Sequence, residues 1–462
     1  MFDSRTYTER RRRLQAQFDT GVLLFLGNEE SPMNYAGNTY HFRQDSTFLY
    51  YFGLNQPGLA AVIDVDNDRA TVYGTDLTID DIVWTGPLPT VAEQAALAGV
   101  EHTAAPRALD EFLQDAVAQG RPIHFLPPYR AENQIKLYRW LGVHPDRAGA
   151  SASVQFIRAV VEMRAVKSAE EIEEIEKAVN VCVDMHLAGM RLARAGMTEA
   201  QIMARVTEIA LNAGGGLSFP VIATTHGETL HNHFYGHTLR NGDLFLLDAG
   251  HETARGYAGD LTSTFPVDGK FAPRQRELYD LVIRAQEAAV GAIRPGVPFR
   301  EVHLLACRTL AAGLKEIGLM QGDVDEAVAQ GAHAMFFQCG LGHMMGLDVH
   351  DMEDLGEVYV GYEGQPKSTV FGLKSLRLAR PLKPGFVMTV EPGVYIIPAL
   401  IDQWKAAGKF RDFIRYDRLE EYRNFGGIRN EDDYVVTADG CRRLGKGKPT
   451  SSAEVEAVRG QA

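Results

Sequence analysis

The sequence predicts an α/β (α+β) protein built from two domains, and three observations support this. The chain has 462 residues, more than one ordinary domain contains. Short apolar runs alternate with segments of helical spacing over residues 1–160. A helix-start signal at Ser168 then opens a series of long amphipathic helices. We therefore expect domains at residues 1–165 and 166–462.

The first domain reads as a sheet covered by helices. The aromatic stretch at 41–54 is expected to be core plus loop, with a substrate wall as the alternative. The arginine cluster at 10–13 is expected on a solvated helix face rather than at a polyanion site. Residues 106–120 have helical spacing, and the expected strands are GVLLFLG (21–27), LAAVIDV (59–65), ATVYG (70–74) and RPIHFLP (121–127).

The second domain begins with a capping box, because Glu171 follows Ser168 by three residues. Apolar residues at helical spacing share one face of the helix that follows. The tail after Gly445 is polar and is expected to fray or to end in a short helix. Further helices are expected at 197–213, 273–293 and 299–317, and further strands at 387–396 and 431–437.

Composition excludes several classes of partner. The net charge of −13 argues against nucleic acid and against anionic membrane surfaces. No apolar run is long enough to span a membrane, and no apolar stretch follows the N-terminal basic cluster as in a secretory signal. The four cysteines are far apart, which fits neither a disulfide framework nor a zinc knuckle. We expect a cytoplasmic protein.

Residues 244–265 hold the first candidate metal ligands. Two apolar runs with strand-forming residues flank a glycine-containing turn and carry Asp248 and Asp260. A hairpin would bring these two carboxylates close together, where they repel unless a cation lies between them. For an isolated hairpin, solvated turn residues are the alternative interpretation.

Three further candidates occupy equally specific settings. His343 lies with His350 in a glycine-rich stretch, where glycine permits the close backbone approach that a tight metal site requires. Glu391 ends an apolar strand directly before a proline, and is either exposed there or directed at a site. Glu431 starts an acidic triplet that would be a solvated turn if read alone.

Together these five residues form an oxygen-rich set of four carboxylates and one imidazole. Such ligands suit Mn²⁺, Fe²⁺, Co²⁺ or Zn²⁺. Two divalent cations would balance the four negative charges, whereas one would leave uncompensated charge in a dry cavity. Two metal ions about 3.5–4 Å apart activate a shared water molecule. The set therefore predicts metal-assisted hydrolysis.

Five stretches in this order resemble the signatures of aminopeptidase P and prolidase. They are LLDAG, GYAGDLTSTFPV, GLGHMMGLDVHD, TVEPGVY and GGIRNEDD. These enzymes are the proline-specific members of the pita-bread metallopeptidases, related to creatinase and methionine aminopeptidase. In addition, residues 40–63 resemble the N-terminal domain of aminopeptidase P. The resemblance implies a creatinase-like α/β N-terminal domain and a pita-bread catalytic domain.

The resemblance also implies how the ligands divide between the two metal ions. Asp248 would chelate one ion, while Asp260 and Glu431 would bridge the pair. His343 would complete one metal site, with Glu391 binding on the same side. The resemblance favours Mn²⁺, with Co²⁺, Zn²⁺ and Fe²⁺ as alternatives.

The same resemblance assigns the remaining catalytic roles. Glu391 would act as general base, and His350 would stabilise the oxyanion. Arg429 would anchor the bridging carboxylates through bidentate contacts. A histidine ahead of the hairpin would also line the site, and His231 and His233 are equally good candidates.

His237 is a much weaker candidate than His231 and His233 for the histidine that lines the site. The chain departs from the family pattern at Cys339, where many members have a histidine that lines the substrate pocket. Cys339 is expected to be a small buried residue, with a soft contact in the pocket as the alternative.

The expected reaction is hydrolysis of the N-terminal Xaa–Pro bond in peptides with proline in second position. The alternatives are a prolidase restricted to dipeptides and a metal-free fold relative, and the complete ligand set argues against the latter. A homodimer or homotetramer is expected.

Overall fold

The protein forms two compact units. The structure is a computed structural model and describes residues 1–461. One unit comprises Met1–Arg164 and Glu353–Tyr359, and the other comprises Ala165–Met352 and the chain from Val360 onwards. No helix within residues 1–461 is long and apolar enough to cross a membrane.

The N-terminal segment of the first unit contains seven strands and seven helices. The strands are β1 (Val22–Leu26), β2 (Pro32–Tyr35), β3 (Asn38–Thr39), β4 (Ala60–Asp64), β5 (Arg69–Tyr73), β6 (His102–Ala104) and β7 (Ile123–His124). The helices are α1 (Ser4–Gln15), α2 (Ser46–Phe52), α3 (Ile79–Thr85), α4 (Val91–Leu97), α5 (Pro106–Ala118), α6 (Ala131–Leu141) and α7 (Val154–Ala165).

A mixed five-stranded sheet forms the centre of this unit, in the order β6-β5-β4-β1-β7. Successive residues of a strand point to opposite faces. Val22 and Leu24 therefore pack in one apolar cluster with Leu109 and Leu113 of α5, while Phe25 contacts Phe52 and other rings on the opposite face. The four predicted strands and the helix at 106–120 are present. β7 is shorter than predicted, because the prolines that follow cannot donate to a ladder.

The expectation that the arginine cluster is solvated was wrong for two of its members. Arg10 and Arg11 are buried. Arg10 Nη1 donates to the Tyr50 carbonyl oxygen at 2.9 Å, and Arg11 Nη1 donates to that of Tyr51 at 2.8 Å. These two tyrosines lie in α2, which is wholly buried and occupies the predicted aromatic core. The guanidinium groups satisfy carbonyls that would otherwise lack partners at the end of this helix.

The second unit contains ten strands and most of the remaining helices. The strands are β8 (Gly215–Leu217), β9 (Ile222–Thr224), β10 (Leu244–Ala249), β11 (His251–Thr253), β12 (Leu261–Pro266), β13 (Val387–Val390), β14 (Gly393–Tyr395), β15 (Gly427–Arg429), β16 (Asp432–Val436) and β17 (Cys441–Arg443). The helices are α8 (Ala169–Leu192), α9 (Glu199–Asn212), α10 (Pro273–Ala292), α11 (Phe299–Ile317), α12 (Val324–Gln330), α13 (Glu357–Val360, largely in the first unit), α14 (Pro398–Ala406), α15 (Tyr416–Leu419) and α16 (Ser452–Arg459).

Local signals define the ends of the long helices. Ser168 accepts from the Glu171 amide and Glu171 reaches back to the Ser168 amide, so the predicted capping box is confirmed. Gly318 ends α11 with a φ of +83° that favours glycine. Of the two outcomes expected for the polar tail, the structure has the short helix α16.

Two small sheets supply the strands on which the candidate ligands lie. One has the order β12-β10-β9 and the other β13-β16-β17. β10 and β12 pair antiparallel, as the predicted hairpin requires, with Asp248 opposite Thr262. The predicted strand at 387–396 is instead two strands, β13 and β14, with Glu391 and Pro392 between them. Proline has no amide hydrogen to continue the ladder.

We predict that Arg11 stabilises the first unit far more than its neighbour Arg12. Arg11 Nη2 also donates to the carbonyl oxygens of Ala98 and Gly99, at 2.8 and 2.9 Å. Arg11→Met keeps much of the apolar stem and leaves these buried carbonyls unpaired, which should cost about 3 kcal/mol in the free energy of unfolding. Urea denaturation measures this loss.

Arg12→Met is the matched control. Arg12 is exposed and pairs only with the exposed Glu9, so its replacement should leave the urea midpoint nearly unchanged. Equal destabilisation by the two variants would contradict the anchoring role of Arg11.

Candidate metal centre

Asp248 and Asp260 lie on the strands β10 and β12 of the predicted hairpin. Asp248 is the penultimate residue of β10, and Asp260 directly precedes β12. Both are buried, and the Oδ1 atom of each is buried without a hydrogen-bond partner. Asp248 Oδ2 accepts from Arg429 Nη2 at 2.6 Å. A buried carboxylate oxygen without a donor is costly, and a metal ion would satisfy it.

His343 is oriented by backbone contacts on both sides. Its amide donates to Thr389 Oγ1 at 3.2 Å, and its carbonyl oxygen accepts from the Thr389 amide at 3.1 Å. Gly342 makes this approach feasible, because a Cβ there would lie 2.1 Å from the Thr389 carbonyl oxygen. His343 Nδ1 lies 3.0 Å from the Met344 carbonyl oxygen and must donate to it. Nε2 therefore carries the lone pair that a metal ion requires.

The lone pair on His343 Nε2 faces the carboxylates. Nε2 lies 3.4 Å from Asp260 Oδ2 and 3.8 Å from Glu391 Oε1. Glu391 is held at the break between β13 and β14 by its amide, which donates to the Leu341 carbonyl oxygen at 2.7 Å. The break that proline imposes on the strand thus leaves the Glu391 side chain in the centre.

Glu431 reaches the same centre through a bridge between the two sheets. It pairs with Thr262 in an isolated antiparallel bridge, and Thr262 Oγ1 donates to Glu431 Oε2 at 2.7 Å. One ligand atom each from Asp260, His343 and Glu431 lies within 4.8 Å of the others. All three residues are buried.

The acidic triplet at 431–433 is not the solvated turn that its sequence alone favours. All three side chains are buried. Asp433 Oδ2 accepts from the Asp260 amide at 3.0 Å, and Asp432 lies beside the buried Lys448, with Oδ1 and Nζ 3.8 Å apart. Sequence analysis missed Asp433, Thr262 and Lys448, since their partners lie on strands or tails distant in the chain.

Burial and mutual repulsion dominate the electrostatics of these carboxylates. Burial, with the Asp248 charge in addition, raises the pKa of Asp260 to about 8. Burial raises the pKa of Glu391 to about 7 against the opposing effect of His343 and Arg429. Burial and Asp260 together raise the pKa of Glu431 well above its ordinary value. The centre favours bound positive charge, as protons or as cations.

These observations meet the requirements of a pair of divalent cations. The set offers four carboxylates, two of which have an unpaired buried oxygen, and one imidazole whose lone pair faces inward. The residues that would hold the ions are those expected from the sequence: Asp248, Asp260, His343, Glu391 and Glu431.

The buried Arg429 organises one wall of the centre. Besides its contact with Asp248, it donates from Nε to Thr262 Oγ1 at 3.1 Å and from Nη1 to the Tyr395 hydroxyl at 2.9 Å. The donors of Arg429 diverge to Asp248, Thr262 and Tyr395 and do not make the expected bidentate contact with the bridging carboxylates among the described residues. Tyr395, which sequence analysis did not single out, holds the other side of the guanidinium.

The candidate histidines lie in different surroundings. The His350 ring is half-buried against His343, with centroids 4.3 Å apart and the planes at 69°. His231 and His233 are both exposed. His231 follows Leu230, whose carbonyl oxygen accepts from Arg429 Nη2 at 3.4 Å, so its backbone lies beside the centre. Loss of solvent around the ring, with the Arg429 charge in addition, lowers the pKa of His231, and Asp248 opposes the effect. His237 Nδ1 instead lies 3.0 Å from Glu199 Oε2.

Cys339 is half-buried, and its thiol lies 3.8 Å from the Tyr395 hydroxyl. Burial raises the pKa of this thiol to about 12. Cys339 is therefore a neutral thiol. It contacts Tyr395, which in turn contacts Arg429.

Comparison with known proteins agrees with this centre. The model of metallopeptidase family M24 matches residues 173–438, which is more than half of the chain. The chain belongs to this family. The model of the aminopeptidase P N-terminal domain matches residues 7–124. The predicted fold class, a creatinase-like α/β domain followed by a pita-bread domain, is confirmed, and the family implies divalent metal ions.

Relatives match over nearly the whole length of the chain. Xaa-Pro dipeptidase from Homo sapiens is 31% identical over 475 residues, covering 97% of this chain and 90% of the relative. Xaa-Pro aminopeptidase from Escherichia coli strain K12 is 31% identical over 474 residues, covering 98% of each. The solved structure of proline aminopeptidase P II from Yersinia pestis has a TM-score of 0.83 and 30% identity, covering 100% of each chain.

We predict that the metal-stripped protein loses stability as the pH rises from about 7 to about 8. In this window the folded state still holds a proton on Asp260, whose pKa is about 8, and the unfolded state does not. The folded state therefore binds more protons, so the free energy of unfolding must fall with pH. Below this window the buried histidines, with lowered pKa, act in the opposite direction.

Thermal unfolding of chelator-treated protein across this window measures the effect. Asp260→Asn removes one of the titrating groups and should show a smaller decline. Protein loaded with divalent metal should also show a smaller decline, because cations replace the protons. An identical decline in all three samples would refute the electrostatic account.

Proposed function

We propose that this protein is an Xaa-Pro aminopeptidase, which hydrolyses the N-terminal peptide bond of peptides with proline in second position. The observation that carries the proposal is the buried centre in which ligand atoms of Asp260, His343 and Glu431 converge. Its ligand types suit divalent cations and hydrolytic chemistry. The proposal is further supported by the aminopeptidase P N-terminal domain and by the E. coli relative.

The ligand roles are part of this proposal. Asp248, Asp260, His343, Glu391 and Glu431 would together hold two divalent cations. When bound, the two cations compensate the buried charge and supply the Lewis acidity that activates water and polarises the scissile carbonyl. Of the candidate metals we propose Mn²⁺, with Co²⁺, Zn²⁺ and Fe²⁺ as alternatives that suit the same ligands.

The side chains around the ligands move the proton and hold the substrate. Glu391 would take the proton of the attacking water on a carboxylate oxygen, as general base. The imidazole of His350 donates to the carbonyl oxygen as negative charge develops there. Arg429 keeps Asp248 in position through its 2.6 Å contact. Of the two open candidates, we propose His231 as the histidine that lines the site.

Proline explains why a dedicated peptidase is required. Its tertiary amide has no N–H and fixes φ, so general peptidases exclude it by shape. A dipeptidase is the second candidate function, favoured by the match to human Xaa-Pro dipeptidase at the same 31% identity. Such an enzyme would additionally recognise the free carboxylate of the dipeptide.

Three finer features are also proposals. The widely spaced free cysteines support a reducing, cytoplasmic compartment. A homodimer or homotetramer is proposed on the general preference of soluble enzymes for closed symmetry. The domain limits 1–165 and 166–462 are supported by the change from short strands to long helices near Ser168.

We predict that the protein cleaves Xaa–Pro–Yaa–Yaa peptides at the Xaa–Pro bond. Peptides of two to four residues with the same first residue should be compared by kcat/KM, with product release followed by chromatography. The aminopeptidase proposal requires turnover of the tripeptide and the tetrapeptide. Cleavage of the dipeptide alone would establish the dipeptidase, and cleavage of none would refute both.

We predict that Asp260→Ala and His350→Ala fail in different ways. Asp260→Ala should lose bound metal and activity together, because a bridging ligand is removed. His350→Ala should retain metal, while kcat falls by about 100-fold through loss of oxyanion stabilisation. Metal content by elemental analysis and turnover should be measured on the same samples.

Two matched substitutions control for nonspecific damage. Asp184→Ala replaces an exposed helical aspartate, and His237→Ala replaces a histidine that contacts Glu199. Both should retain metal and turnover. Loss of metal from His350→Ala would exclude the role assigned to His350.

A further inference from the structure

A second group of metal-ligating side chains lies in the second unit and shares no residue with the centre described above. It consists of His303, Cys307 and His333. His303 and Cys307 are four residues apart on α11 and therefore lie on one face of the helix. His333 lies in the short 3₁₀ helix Ala332–Met335. One ligand atom from each lies within 4.8 Å of the others.

The polar atoms of this cluster are buried without adequate partners. His303, Cys307 and His333 are 1%, 0% and 4% exposed. Nδ1 of His303 and both ring nitrogens of His333 lack a hydrogen bond. The Val328 carbonyl is near enough to raise the pKa of His333, although it is outside hydrogen-bond geometry. Buried polar atoms without a hydrogen-bond partner are rare in folded proteins, so three in one place require an explanation.

We propose that His303, Cys307 and His333 bind one zinc-class cation, separate from the dinuclear centre. Two imidazoles and one thiolate are ligands of structural Zn²⁺ sites. A thiolate also distinguishes this cluster from the first centre, whose ligands are oxygen atoms and one imidazole nitrogen.

The separation of two of the ligand atoms suits a tetrahedral ion. With Zn–N near 2.0–2.1 Å and Zn–S near 2.3 Å, adjacent tetrahedral ligands lie about 3.3–3.7 Å apart. Cys307 Sγ and His303 Nε2 are separated by 3.4 Å. The helical spacing therefore already places two ligands at the separation that one ion requires.

The protonation states are also favourable. Burial, with the charge of the neighbouring imidazole in addition, lowers the pKa of His303 to about 3, and burial lowers that of His333 to about 4. Both rings are therefore neutral at neutral pH and can offer a lone pair. Burial raises the pKa of the Cys307 thiol, and the nearby Cys339 raises it further. Metal binding would release the thiol proton to solvent and leave a buried thiolate bonded to the cation.

Cobalt tests this site without reference to peptide cleavage. A thiolate bonded to Co²⁺ gives a charge-transfer band in the near ultraviolet, and oxygen or imidazole ligands do not. Full-length protein should be produced in cobalt-supplemented medium, and its spectrum and metal content should be measured together. We expect the thiolate band and one Co²⁺ per chain beyond those in the dinuclear centre.

Substitutions assign the band to the cluster. Cys307→Ser should abolish the band and remove one metal ion per chain, and His333→Gln should weaken cobalt retention. Cys441→Ser, which alters a cysteine whose thiol donates to the Val290 carbonyl oxygen at 3.6 Å, should leave both readouts unchanged. Asp260→Ala should lose cobalt from the dinuclear centre and keep the band, so the two sites are separated even if the proposed peptidase activity fails.

Two outcomes would overturn the proposal. One is wild-type protein without a thiolate band, a result that needs no variant to fold. The other is a band that survives Cys307→Ser, and its disappearance in Cys339→Ser would then assign the thiolate to Cys339 instead.

Discussion

Repulsion among buried carboxylates is the constraint on which the second unit depends. Asp248, Asp260 and Glu431 are buried and Glu391 is partly buried beside them, and the Arg429 guanidinium contacts Asp248. In an interior of low effective dielectric, such charges cannot all remain ionised without compensation. The raised pKa values of Asp260 and Glu391 express this directly. The crowded carboxylates therefore bind cations: protons when no metal ion is bound, and metal ions in their place.

The backbone resists this repulsion because each carboxylate ligand lies on a strand or directly beside one. Thr262 is central: its pairing partner across the hairpin is Asp248, its bridge partner is Glu431, and its hydroxyl donates to the Glu431 carboxylate. One residue therefore couples the sheet that carries the aspartates to the segment that carries the glutamate. The close approach at Gly342 fixes His343 against β13 in the same way. Ligand residues whose backbone is held by strand pairing lose little conformational entropy on metal binding.

Sequence analysis succeeded where the signal was local and failed where it depended on distant packing. The hairpin and the capping box at Ser168 are encoded by short patterns, and the order of the five signature stretches identified the family. The metal-ligand role of the five candidate residues stays a prediction. Burial of Arg10 and Arg11 could not be read from the sequence, because their carbonyl partners lie about forty and ninety residues away. The roles of Asp433 and Tyr395 depend on contacts between separate strands. The spacing of His303 and Cys307 was visible, but its partner His333 comes from another element.

The two metal-ligating clusters are connected through polar side chains. The thiol of Cys339 contributes to the raised pKa of Cys307 and lies 3.8 Å from the Tyr395 hydroxyl. Tyr395 in turn accepts from Arg429, which donates to Asp248. Replacing a buried thiol proton by a cation at Cys307 would change the charge at one end of this series. Arg429 donates to both Tyr395 and Asp248, so the polar contacts that begin at Cys339 lead to a ligand residue of the dinuclear centre.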